Sequence, residues 1–215
     1  MDIPSEPPLT LPDIAGTAVV LRAFRDDDAP LIVSASHNVL IPMLTSVPRM
    51  AGHSDALTYI GRQQICLVER TGLSFAIADA ASGTAVGQIG VVLKDAALGR
   101  ASISYWVGPD HQHRGYAGAA LEALTRWVLQ TPLINRAELY IEPWNEASLR
   151  TAERCGYHRE GLLRQWLQVG GTRRDMYMYS RLDSDPVPEE PACLPRRISD
   201  QPETAGREAG VAPGV

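Results

Sequence analysis

Cysteine is scarce in this chain of 215 residues: Cys66, Cys155 and Cys193 are far apart and form no C-x-x-C pair. That excludes a disulfide framework and a zinc knuckle, and leaves reduced thiols as the expectation. No uninterrupted apolar stretch is long enough to cross a bilayer, and no basic segment runs into an apolar one at the start of the chain. No membrane association and a cytoplasmic location are therefore expected. Gly-Lys-Ser/Thr is missing, which argues against a P-loop nucleotide enzyme. Lysine is nearly missing too, since Lys94 stands alone among the 20 Lys and Arg residues, a bias that carries no functional information.

A positive surplus is also lacking. The net charge is −5, and acidic residues gather at the end of the chain, where residues 183–215 hold seven acidic and three basic side chains. Residues 1–182 are then almost neutral, with 18 acidic against 17 basic side chains. A nucleic-acid partner, which selects a basic face, is not expected.

What is present is enough apolar sequence for one well-buried domain. Residues 1–16 are Pro-rich and aperiodic, a flexible lead-in, and residues 183–215, with six prolines and no aliphatic periodicity, read as a disordered tail. Between them, residues 17–182 form the domain. Thr17 to Phe24 reads as a strand, and Arg25-Asp26-Asp27-Asp28 begins a helix through about Ser36. A second helix starts near Ser54-Asp55 and places Ala56, Tyr59, Ile60, Gln63 and Leu67 on one side.

Leu73 to Asp79 and Ala85 to Leu93 are strands across the turn Ala80-Ala81-Ser82-Gly83, and Arg100 to Val107 is a third. A central helix follows with Ala117, Ala120, Leu121, Leu124, Trp127 and Val128 on one stripe. Arg136 to Ile141 is a strand, Glu146 to Arg154 a helix ended by Gly156, and Tyr157 to Leu163 with Arg174 to Leu182 the last strands. The expected class is α+β: a mostly antiparallel sheet of six to seven strands with about four helices. Trp106, Trp127, Trp144 and Trp166 are expected in the core or in a groove, and Cys155 in the core.

Two segments carry chemistry together. Gln112-His113-Arg114-Gly115-Tyr116-Ala117 leads from a strand into the central helix, where small residues and the first-turn N–H groups, including that of Gly118, can receive a phosphate. Asn145-Glu146-Ala147-Ser148 is followed by Cys155-Gly156-Tyr157 and Glu160-Gly161. Alone, Gly115 and Ala117 could mark only a tight turn and Asn145 only a helix cap. His111 and His113 have no third ligand at useful spacing, so no metal is expected.

With Tyr105-Trp106-Val107-Gly108-Pro109 ahead of the loop, the three segments make the chain resemble the GNAT superfamily of acyl-CoA-dependent N-acyltransferases. Within it the RimJ/RimL branch of ribosomal-protein N-terminal acetyltransferases is the nearest pattern. The resemblance implies acetyl-CoA as cosubstrate, with its pyrophosphate on the amides of His113 to Gly118 and Arg114 on the rim. It further implies that the strand carrying Tyr105, Trp106 and Val107 splays from the strand at Leu139 to pair with the pantetheine arm. Asn145 would hold that arm and Ser148 would donate a proton to the departing sulfur. Many relatives use a tyrosine one turn further on, where this chain has Ala152.

The resemblance implies acetyl transfer to a primary amine, a protein N-terminus or a small amine, by direct attack in a ternary complex. Relatives often carry a glutamate at the position of Ser102, and Gln88 stands where a neighbouring strand could offer an acid, so the proton acceptor is left to a water chain or to a carboxylate elsewhere, with Glu142 a candidate. Glu142 can equally cap the adjoining helix, and Ser148 can be a small packed residue. Another acyl group such as succinyl, or a CoA-binding module with little catalysis, stays open. Arg164, Arg173 and Arg174 could steer an acidic substrate. Homodimers are common among such enzymes.

Overall fold

The computed structural model describes residues 11–68 and 71–186, and the side chains of 64–68 lie outside it. The side chain of Leu67, the thiols of Cys66 and Cys193, the first ten residues and the chain after 186 lie outside the described residues.

Eight strands form one sheet: β1 Ile14–Ala15, β2 Val19–Arg22, β3 Gly72–Asp79, β4 Ala85–Val92, β5 Arg100–Val107, β6 Arg136–Ile141, β7 His158–Val169 and β8 Thr172–Leu182. Among the described residues five α-helices accompany them: α1 Ala29–Ser36, α2 Ile41–Leu44, α3 His53–Val68, α4 Tyr116–Leu129 and α5 Glu146–Arg154. The class is α+β, with one strand and one helix more than the expected upper counts. The extra strand is β1, two residues paired antiparallel with β2 inside the stretch read as aperiodic. The extra helix is α2, a single turn with Pro42 near its start.

The strand order is β1-β2-β3-β4-β5-β6-β8-β7. Each pairing is antiparallel except β5 with β6, which run parallel because α4 forms the crossover between them. Both faces of the inner sheet are covered, which is why β3 and β4 read as nearly continuous apolar runs. On one face α4 buries Ala120, Leu121, Leu124 and Val128 against Phe75, Ile77, Ile89 and Leu139. On the other, α1 and α3 bury Ile32, Ala35, Ala56, Tyr59 and Ile60 against Ala76, Ala85 and Trp106. Backbones come close at Gly87, where a Cβ would collide with the Trp106 carbonyl oxygen.

One aromatic expectation needs correction: Trp166 is 46% exposed and stacks on Tyr140. Trp144 is 47% exposed and lines a cavity, one of the two places expected for it. The β7–β8 hairpin extends past the expected ends because β7 absorbs a register shift between Leu163 and Leu167 around Gln165, whose φ is 52°. Such a bulge hides the two-residue period from a linear reading.

Candidate active site

The parallel ladder of β5 and β6 is short. Its pairs are Arg100 with Arg136, Ala101 with Ala137 and Ser102 with Glu138, and none follows. Beyond Ser102 the two strands separate, so Ile103 to Val107 on one side and Leu139 to Ile141 on the other turn unladdered edges toward a wedge-shaped gap. Unladdered main chain is the feature a linear amide-bearing ligand pairs with. Tyr105 and Val107 are half-buried at this edge, while Trp106 is buried toward α3.

At the wide end of the wedge the chain turns from β5 into α4. Gln112 is extended and its side-chain amide donates to the Val107 carbonyl at 3.3 Å, pinning the loop to the strand. His113 then takes φ 62° and Gly115 φ 80°, left-handed positions that turn the amides of the loop inward. Helix α4 starts without a side-chain cap, and its first backbone bond runs from the Ala119 N–H to the Gly115 carbonyl. The N–H groups of Tyr116, Ala117 and Gly118 thus have no helical acceptor, and the positive end of the helix dipole faces the same spot. His113 and Arg114 are exposed on the rim, and Gly118 is buried. Its carbonyl takes a bond from the Cys155 thiol at 3.5 Å, so Cys155 is the expected core group.

The helix start is also latched from the side. Tyr116 Oη donates to Asp79 Oδ2 at 2.7 Å, while Asp79 Oδ1 accepts from the Ala81 and Ser82 amides in the β3–β4 turn. The Tyr116 bond, then the Ser82 amide, hold the Asp79 carboxyl below its ordinary range, and the same carboxylate raises the Tyr116 phenol.

Glu142, Asn145 and Ser148 come together just past the C-terminal end of β6, at the wide end of the wedge. The Asn145 N–H donates to the Glu142 carbonyl at 2.9 Å, and Asn145 Oδ1 accepts from the Ser148 N–H at 3.3 Å as the N-cap of α5. The Ser148 hydroxyl is half-buried and carries no hydrogen bond among the described residues. Ala152 is fully buried, filling the place one turn on. The Glu142 carboxylate is not a helix cap: the residue is 5% exposed, and neither carboxylate oxygen has a hydrogen-bond partner among the described residues. It lines a cavity of about 360 Å³ with Pro143, Trp144, Arg173, Arg174 and Asp175.

Sequence reasoning missed two polar clusters. Gln88 is saturated: its Oε1 accepts from Tyr59 Oη and from Trp106 Nε1 at 2.9 Å, and its Nε2 donates to Gln63 at 3.1 Å and Ser74 at 2.7 Å. Burial raises the Tyr59 phenol, keeping it a donor. The second cluster is on β6, where Glu138 pairs in register with Ser102 and accepts from Arg136 Nε and Tyr140 Oη, each at 2.8 Å. Burial first, and the bond to Glu138 second, push the Tyr140 phenol up to about 12. Only the inward spacing of Gln63 on α3 and of Glu138 on β6 hinted at them.

A larger cavity of about 490 Å³ lies between Arg22, Asp28, Ser82 and the loop at Gly108 and His111. Arg22 there forms a bidentate pair with Asp28, at 2.7 and 2.9 Å, and neither Asn145 nor Ser148 lines it. Among the described residues no helix is long and apolar enough to cross a membrane, and no cluster of three His, Cys, Asp or Glu residues is placed to hold a metal ion.

Comparison with known proteins gives the family and the fold. Residues 18–158 match the family described as "Acetyltransferase (GNAT) domain". The N-acetyltransferase p20 of Bacillus licheniformis is 32% identical over 164 residues, covering 76% of this chain and 92% of its own. Among solved structures, a GCN5-related N-acetyltransferase from Brucella melitensis superposes with TM-score 0.68 at 27% identity, covering 83% of this chain and 81% of its own. RimJ of Mycobacterium smegmatis, in complex with CoA-disulfide, reaches TM-score 0.70 at 24% identity over 86% of this chain and 92% of its own, a likeness of fold. With a family match across most of the described sheet and a relative of similar length, the chain belongs to the GNAT acetyltransferase family.

Proposed function

We propose that the protein is an acetyl-CoA-dependent N-acetyltransferase acting on a primary amine, a protein N-terminus or a small amine. The observation that carries this reading is the conjunction of an uncapped α4 start with a wedge between β5 and β6. The amides of His113 to Gly118 fit a pyrophosphate, with Arg114 on the rim. The free edge of β5 at Tyr105 to Val107 fits the pantetheine arm, and Asn145 closes on it from the other side. A thioester placed there supplies an activated acyl carbon and a thiolate leaving group.

The chain's own groups manage the protons. An amine arriving as ammonium must lose two: one goes to Glu142, whose buried carboxylate is relieved by any proton or hydrogen-bond donor, and the other ends on sulfur by way of the Ser148 hydroxyl. Ser148 serves as the donor because Ala152 offers none. An α-amino group with an ordinary value near 8 suits this weak base better than a lysine near 10.4. The outer strand β7, with Leu162, Trp166 and Leu167 about half exposed, supports a homodimer.

A second reading, a CoA-binding module with little catalysis, is favoured by one observation: Ser102 offers no carboxylate and Gln88 is fully engaged. Incubating the protein with acetyl-CoA, succinyl-CoA and a panel of amines while following thiol release separates the readings. Thiol release with an amine supports the enzyme, and thermal stabilisation by acetyl-CoA without turnover on any amine supports the module.

A further inference from the structure

Four charged residues line the cavity beside Glu142, and two of them, opposite in sign, have no partner among the described residues. Both oxygens of the Glu142 carboxylate are buried and unbonded. Arg174, exposed on β8, makes no ion pair and no hydrogen bond among the described residues. Both residues line one cavity, yet they do not pair with each other. The neighbours do not neutralise them. Asp175 Oδ1 accepts from the Gln165 N–H at 2.8 Å within the β7 bulge, and Arg173 Nη1 reaches the Gln165 and Trp166 carbonyls at 3.5 and 3.4 Å.

An unpaired buried carboxylate costs far more than an exposed one, and it is retained where a ligand supplies the missing donor. Pro143 and Trp144 line the same cavity and give it an apolar face for the short stem of a ligand. The cavity of about 360 Å³ suits a group the size of one or two amino-acid residues.

We infer that this cavity is the acceptor subsite, and that it selects a primary amine bearing an anionic group: ammonium toward Glu142, carboxylate toward Arg174. The inference rests on the acetyltransferase reading above and deepens it. A cationic acceptor such as a polyamine would bring its second charge to Arg174 and be repelled. A free acidic amino acid and a peptide with an acidic residue next to its N-terminus share the required chemistry.

The test uses the full chain with acetyl-CoA and acceptors differing in one charge. The peptides begin Ser-Glu, Ser-Gln or Ser-Lys and are otherwise identical, and free glutamate is compared with glutamate diamide. The expected result is a kcat/KM for Ser-Glu about tenfold above Ser-Gln, with Ser-Lys lowest. In Arg174→Gln the Ser-Glu to Ser-Gln ratio should fall toward one, and Arg174→Glu should reverse it in favour of Ser-Lys. A preference of free glutamate over its diamide without any peptide preference assigns the subsite to a small acceptor and still supports it. Turnover with equal kcat/KM across all charges, or an acidic preference that survives Arg174→Glu at unchanged Tm, overturns the subsite while leaving the acetyltransferase standing. No turnover with any acceptor overturns both.

Discussion

The backbone N–H of Asn145 donates to the Glu142 carbonyl at 2.9 Å, so a buried, unbonded carboxylate is fixed to the turn that launches the helix bearing Ser148. This turn therefore carries the proposed proton acceptor and polar anchor, and the first turn of α5 carries the proposed hydroxyl donor. Replacing Glu142 should split activity from stability. Glu142→Gln is expected to lower kcat by about 10²-fold or more while the protein becomes no less stable, since an unpaired buried charge is removed. Steady-state rates and thermal melts on the same preparation check this, and a loss of Tm with kcat intact contradicts the role.

Ser148 enters the fold through its backbone, because its N–H and not its hydroxyl meets Asn145. Ser148→Ala should keep α5 capped and shift stability by no more than about 0.5 kcal/mol. Turnover should nonetheless fall by about 10²-fold with KM for acetyl-CoA little changed. Asn145→Ala is the opposite case, with about 1 kcal/mol of stability lost from the missing cap and KM for acetyl-CoA raised.

Gly115 sits at φ 80° at the start of α4. Gly115→Ala forces a side chain into the left-handed region at about 1 kcal/mol, and the backbone relaxes away from it. CoA affinity is expected to drop by more than tenfold, readable by calorimetric titration, because the amides of the following turn no longer converge.

Arg136 holds Glu160 with two bonds of 2.8 and 2.6 Å, and with Ser180 it lowers the Glu160 carboxyl from 4.5 to about 2. A carboxyl depressed in the folded state stabilises above its unfolded value, and that contribution is lost as pH falls from 4.5 toward about 2. The carboxylate is 43% exposed, so screening limits the gain to about 1 kcal/mol or less. Denaturant melts of wild type and Glu160→Gln should differ at pH 7 and converge as the pH falls through that window.

Much of this molecule is legible in its sequence where periodicity is long. The bounds of β5, β6 and α5 are as expected, and α4 presents the expected stripe. Short or broken elements are not legible: β1 has two residues, α2 a single turn, and β7 hides its continuation behind the bulge at Gln165. For the site, the loop at Gln112 and the Asn145 turn could be read because their chemistry is local. The saturated Gln88 and the pairing of Glu138 with Ser102 depend on neighbouring elements, as does the lack of any partner for Glu142 beside Arg174. No linear spacing encodes those relations.

A CoA diphosphate docked on the main chain where β5 turns into α4 should shift the amide resonances of isotope-labelled protein during CoA titration. The largest changes are expected at His113 to Gly118, with a second group at Tyr105 to Val107 and Asn145. Saturating CoA that leaves the amides of His113 to Gly118 unmoved, or moves a different surface instead, would contradict this docking.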